Sequence, residues 1–275
     1  MTIINLIPKI KIETSLDLSN LSKINENYAD NKKINNIRLT LGGKETSIKE
    51  VFKISYLRRK VSQKVIILKG SNKNFNNLGT NWEKNNLMVY GDTGSFLGCN
   101  MIGGSIHVRG SSKNFVGCQM RGGEINIEKN AGNYVGSANF GERVGMNGGF
   151  IKIKGNAGNY VAQYLRRGTI IINGNVGNNT CNNMIAGSIF INGDYGKNFC
   201  QGMKRGTVLV NKFKEKNSKN FIYCGIQTLN IYSILEKTYL KVRTNSNKFK
   251  KFIGDRDNDG IGEILEKIFW TSQST

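Results

Sequence analysis

The chain has 275 residues, with 40 Lys and Arg against 19 Asp and Glu, one histidine and five cysteines. That length suits one large core or a core with appendages, and no apolar run approaches the ~20 residues that span a membrane as a helix. The formal net charge of +21 raises binding to nucleic acid or an anionic surface. The basic residues, however, are spread through a chain rich everywhere in Lys, Asn and Ile, with no dense basic block, so nucleic acid is not the expected partner.

The opening stretch Met1–Lys9 lacks a basic n-region and a small-residue cleavage site, so a cytoplasmic protein is expected. Ile10–Ile12 reads as a short strand, and Leu16–Leu21 opens a mixed segment. Ile37–Leu41 reads as a strand stopped by Gly42 and Gly43, and Ser47 is placed to cap one helical turn reaching Phe52. Residues 1–63 are expected to form a strand/helix cap, because the open end of a stacked-strand fold has to be covered.

Residues 64–212 repeat. Block starts at Gly91, Gly110, Lys129, Gly155, Gly174 and Gly193 are spaced by 19, 19, 26, 19 and 19 residues, with an earlier start at Gly70. Self-similarity at a fixed period is the mark of a solenoid. Each block contains a glycine followed by alternating β-branched residues, as in Ile106/Val108, Ile125/Ile127, Ile151/Ile153, Ile170/Ile172, Ile189/Ile191 and Val208/Val210. That alternation reads as a half-buried strand, with His107, Asn126, Lys152 and Asn173 expected to face water.

Two further apolar sets complete a block. One is the pair column Phe96/Leu97, Phe115/Val116, Tyr134/Val135 and Tyr160/Val161. The other is Met101, Met120, Leu165, Met184 and Met203. Both are expected to point inward, with glycine at the corners where positive φ costs it little. One block cannot bury its own apolar face, whereas stacked blocks share a continuous core. Seven or eight coils would stand roughly 35–40 Å tall at ~4.8 Å per strand. The column Asn74, Ser95, Asn114, Asn133, Asn159, Asn178, Lys197 is expected to hydrogen-bond along the stack as an amide ladder. A coil of 19 is not a multiple of the six or nine that build the two other common solenoids.

Several residues invite functional readings. The long spacing falls at Ala138–Met146, an insertion expected to bulge from a corner and to suit a partner contact. Arg121, Arg166, Arg167, Lys204 and Arg205 align just before the strand glycine and form a candidate docking edge. Cys99 and Cys118 share one column, as do Cys181 and Cys200; neighbouring coils bring such thiols within disulfide range, but in a cytoplasmic chain they are expected to fill the core as free thiols. His107 has no visible nucleophile or metal-ligand companion. No triad, acid/base pair or phosphate loop is visible, so no catalytic, cofactor-binding or metal residue is assigned.

Residues 213–275 are expected to form a C-terminal cap with helix and strand. Cys224–Leu240 carries a mixed helical signal with Ile226, Leu229, Ile234 and Leu235 available for packing, and Lys248–Ile253 is strand-like. Asp255, Asp257, Asp259, Gly260 and Glu266 fit the spacing of a calcium loop. The fit is weakened by Gly262 at the hydrophobic position and by the absence of a helical pattern before it.

The repeat G-N-A-G-N-Y-V-G…M-x-x-G-x-I-x-I resembles the C subunit of formylmethanofuran dehydrogenase and the related C subunit of the formyltransferase/hydrolase complex of methylotrophic bacteria. It is similar, more distantly, to the C-terminal β-helix domain of the glutamate synthase large subunit. Leu16–Ser19, Met203–Val210, and Phe252–Asp255 with Gly260–Leu265 extend the resemblance beyond the repeats and favour the one-carbon C subunits, the methylotroph version above all. The resemblance implies an all-β protein, a right-handed parallel β-helix of about 19 residues per coil with small caps at both ends. It also implies a non-catalytic scaffold subunit in a complex that interconverts formyl-tetrahydromethanopterin, a formyl-methanofuran-type carrier and formate. Partners would be an amidohydrolase-like A subunit, a B subunit and a formyltransferase D subunit. The chain itself would hold no cofactor; a molybdenum or tungsten pterin and iron–sulfur clusters, if the complex is a dehydrogenase, would belong to other subunits. The alternatives are a glutamate-synthase-type β-helix domain and a basic β-helix for polyanions.

Overall fold

The computed structural model describes residues 2–27, 31–58, 64–214, 220–229 and 247–268. Five strands precede the repeats: β1 (Thr2–Pro8), β2 (Leu16–Asp17), β3 (Arg38–Leu41), β4 (Lys44–Ser47) and β5 (Phe52–Arg58). The repeats carry β6 (Val65–Ser71), β7 (Phe75–Asn76), β8 (Asn86–Gly91), β9 (Ser105–Val108), β10 (Glu124–Ile127), β11 (Asn147–Ile153), β12 (Arg167–Ile172), β13 (Ser188–Ile191) and β14 (Thr207–Val210). Three more follow: β15 (Ile222–Thr228), β16 (Lys248–Gly254) and β17 (Gly262–Lys267). Among the described residues, helices are confined to short pieces, among them α1 (Ile24–Asn27), α2 (Asn31–Asn35) and α3 (Ile48–Val51).

Thirteen strands make one sheet in the order β15-β16-β17-β14-β13-β12-β11-β10-β9-β8-β6-β1-β5. The run from β1 to β17 is parallel throughout, and β5, β16 and β15 close its two ends with antiparallel pairing. The protein is therefore nearly all β, built on a large parallel-rich sheet of the kind a β-helix makes. Register explains the core. The pairs Ile106↔Ile125, Ile125↔Ile151 and Ile151↔Ile170 continue to Val208↔Ile264, and these side chains have no exposed surface. At ~1.5–3 kcal/mol for each fully buried aliphatic side chain, this column and its neighbour Val89, Val108, Ile127, Ile153, Ile172, Ile191 supply much of the stability.

A second sheet, in the order β4-β3-β2-β7, folds the N-terminal segment onto a corner of the first coil. Leu16 N–H donates to Asn74 O at 2.9 Å, and the Asn74 amide donates to Ile12 O and Glu13 O. The expected strand at Ile10–Ile12 is absent; the strand there is β1, and Ile12 instead packs into the core beside the amides of Asn72 and Asn74. β3 and the turn α3 lie where the sequence puts them, with Ser47 as N-cap and its N–H donating to the Glu50 carboxylate at 3.2 Å.

At the other end, Cys224–Thr228 is strand in β15, not helix, because it pairs with β16. The expected packing residues Ile234 and Leu235 lie outside the described residues. β16 agrees with the strand-like reading of Lys248–Ile253.

Two apolar sets differ from expectation. Leu97, Val116, Val135 and Val161 point inward, but Phe96, Phe115, Tyr134 and Tyr160 stack on the outside of the corner, centroids 4.8, 4.7 and 5.0 Å apart. All four aromatics take positive φ, between 58° and 64°, left-handed backbone that turns the chain at the corner. Conversely, the outward column that begins with His107, Asn126 and Lys152 continues as Ile171, Phe190, Leu209 and Leu265, which are buried with Phe249 in a separate apolar cluster. Strands β12 to β14 lose polar alternation, the mark of burial on both faces.

Candidate functional site

The corners, not the strands, carry the polar chemistry. A coil corner leaves backbone N–H groups without a ladder partner, and each has to be satisfied. The expected amide column does this through its oxygens: Asn159 N–H donates to Asn133 Oδ1, Asn178 N–H to Asn159 Oδ1 and Lys197 N–H to Asn178 Oδ1, each at 2.8 Å. The bonds run side chain to backbone, not amide to amide, and the head of the column is Asn76, whose Oδ1 accepts from Ser95 N–H at 2.9 Å. A second such column, unforeseen, runs through Asn130, Asn156 and Asn175, with Asn156 and Asn175 N–H donating at 2.8 Å. These asparagines are structural.

The insertion folds back over the outer aromatic stack. Phe140, 74% exposed, meets Phe115 edge-on at 5.0 Å and Tyr134 at 5.9 Å. The loop and stack enclose a cleft of about 470 Å³ that Tyr160, Gln163, Tyr164, Glu142 and Arg143 complete. Behind the stack, Cys99 and Cys118 are joined in a disulfide with Cα atoms 4.7 Å apart. This corrects the expectation of free thiols: two cysteines in one column of adjacent coils point the same way at strand spacing. Cys181 and Cys200 are free and buried, and burial pushes the Cys200 thiol well up.

The candidate docking edge divides. Backbone bonds at this corner link Ile102, Arg121, Asn147, Arg166, Ile185 and Lys204 in successive coils through the residue preceding each, and Ile261 N–H donates to Lys204 O. Arg166, Arg167, Lys204 and Arg205 come together around Ile185 and Ala186, lining a recess of about 290 Å³. Arg121 is exposed but stands apart from them, with Asn147 between it and Arg166.

The acidic turn is not arranged as an ion-binding loop. Asp255 is buried, and its Oδ2 accepts from Gly202 N–H and from the Asn258 amide, both at 2.8 Å. Asp257 accepts from the Asn220 amide at 2.6 Å, while Glu266 sits on β17 and takes Lys250 and Phe213 N–H. Among the described residues no three His, Cys, Asp or Glu gather where they could hold a metal ion. His107 pairs with Glu128 at 3.2 Å. The Lys154 ammonium on the same carboxylate holds Glu128 below the usual range, with His107 and Arg109 adding to it and partial burial opposing.

A match to the GXGXG motif family runs over residues 30–261, most of the chain. The chain belongs to the GXGXG motif family. Among solved structures, a chain in the crystal structure of the formyltransferase/hydrolase complex from Methylorubrum extorquens, determined with methylofuran, superposes with a TM-score of 0.80. The alignment has 23% identity and covers 96% of this chain and 99% of that one, which establishes a shared fold. No curated protein sequence matches. Among the described residues, no helix is long and apolar enough to cross a membrane.

Proposed function

We propose that this GXGXG family member is a C-type scaffold subunit of a formyltransferase/hydrolase complex in one-carbon metabolism. The observation that carries the reading is the extent of the structural likeness. It takes in 96% of this chain and 99% of the related one, so both caps are included along with the repeats. A free-standing repeat domain of another enzyme would match over the repeats and diverge at its ends. On this reading the stack is a right-handed β-helix with coils of about 19 residues, matching the separation of the asparagine-to-backbone bonds. The formyl carrier and tetrahydromethanopterin are handled by an amidohydrolase-like subunit and a formyltransferase subunit, and this chain contributes a stiff surface that fixes their separation.

The reading agrees with how the chain spends its polar groups. Asn133, Asn159 and Asn178 hold backbone N–H groups, Asp255 holds a turn, and Glu128 is committed to Lys154 and His107. Groups held this way are poor general acids or bases, which need a free proton position facing substrate. Purified alone, the chain should neither transfer nor hydrolyse a formyl group. Co-expressed with the formyltransferase and amidohydrolase-like subunits of its own organism, it should yield a complex whose formyl-hydrolysing activity is lost when this chain is omitted. Turnover by the isolated chain, or full activity without it, would refute the assignment.

A further inference from the structure

We infer that Arg166, Arg167, Lys204 and Arg205 form a docking cradle for an acidic, apolar-centred patch on a partner protein. The inference rests on the subunit reading above and names the chemistry of one of its contacts. The arrangement is fixed by backbone bonds. Arg166 and Arg167 N–H both donate to Met146 O at 2.9 and 3.2 Å, and Ile185 and Ala186 N–H to Leu165 O at 2.8 and 3.0 Å. Lys204 N–H donates to Met184 O at 2.8 Å. Three consecutive coils therefore present a row of two cations, a row of two apolar residues and a second row of two cations. The cationic rows lie two strand spacings apart, roughly 10 Å, with the recess of about 290 Å³ between them.

Charge and polarity both select the occupant. All four cations are exposed, and among the described residues none is in an ion pair. The Lys204 ammonium donates to Asn258 O at 2.8 Å, which neutralises nothing. Four like charges around an apolar floor repel one another, and carboxylates brought between them turn that repulsion into attraction. Ile102, at the head of the column that holds Arg166 and Lys204, and Ile261, whose N–H donates to Lys204 O, are 51% and 68% exposed. Cations interleaved with exposed isoleucines suit a protein interface, where an apolar centre is ringed by polar groups. A phosphate backbone would use the cations and leave the apolar rows unmatched. Among the described residues no aromatic ring lines this recess to stack on a base. The occupant is thus an apolar side chain flanked by Asp or Glu on the surface of a neighbouring subunit.

The test uses the native complex, captured through a tag on this chain. The double variant Arg166→Glu/Arg205→Glu should lower recovery of the partner subunits at least tenfold. Lys113→Glu/Lys129→Glu, an equal change of net charge at exposed positions elsewhere, should leave recovery unchanged, and Arg166→Lys/Arg205→Lys should restore most of it. In the wild-type complex a carbodiimide should join the Lys204 amine to a partner carboxylate. Recovery of the partner subunits is scored first with the wild-type chain, and their absence sinks the subunit reading and the cradle together. Their presence with the double variant at the wild-type level overturns the cradle alone. Release of nucleic acid in place of protein by the double variant overturns it as well.

Discussion

At the residue scale, glycine marks where a side chain has no room. Gly117 lies at φ +61°, and a Cβ there would stand 2.4 Å from Ile151 Cδ1. Gly117→Val therefore combines left-handed strain with overpacking of the central isoleucine column and should cost about 3–5 kcal/mol. Gly141 in the insertion has φ +81° but nothing within 4 Å of its Cβ position. Gly141→Ala should cost only the strain, about 1–2 kcal/mol. Comparing denaturation midpoints of the two variants checks this, and equal losses would mean the column is not close-packed at that corner. The glycines are visible in the sequence, but which of them face Ile151 and which face solvent is not, because that depends on stacking one coil over the next. The shared column of Cys99 and Cys118 is legible in the sequence, but whether the two thiols are oxidised is not, because column spacing suits buried thiols and a disulfide alike.

Among the elements, the outer stack teaches most. Phe96, Phe115, Tyr134 and Tyr160 read as core because they sit beside buried aliphatic residues, and the hydrophobic pattern alone cannot distinguish a ring that packs inside from one that stacks outside. The signal was present in the same column: Asn77, Asn179 and Asn198 occupy the equivalent corners and share the positive φ. Asparagine tolerates the left-handed region and does not belong in a core. Tyr134 stacks between Phe115 and Tyr160 at 4.7 and 5.0 Å and meets Phe140 at 5.9 Å, so Tyr134→Ala gives up three ring contacts worth about 0.5–1.5 kcal/mol each. Tyr134→Asn should cost about 1 kcal/mol less than Tyr134→Ala, since asparagine relieves the backbone. Thermal denaturation of the pair decides it; alanine proving the milder change would contradict a corner conformation set by the backbone. The buried outward face of β12 to β14 was equally legible, since Ile170–Ile172, Ile189–Ile191 and Val208–Val210 are continuous apolar runs.

On the scale of the whole molecule, the repeat determines the stack and the flanks distinguish this chain from other solenoids. The parallel run is not confined to the repeats: β1 joins it at one end and β17 at the other, before antiparallel strands continue the sheet at both ends. The candidate edge was legible as a column of basic residues. Its division around Asn147, and the apolar floor that turns four of its members into a recess, required the register of three coils. The account stands most directly on what this chain is bound to in its own organism. Native affinity purification followed by mass spectrometry should return formyltransferase and amidohydrolase-like subunits in fixed proportion, without a metal–pterin subunit. Recovery of the chain alone, with nucleic acid, or with molybdenum or tungsten and iron–sulfur subunits would contradict it.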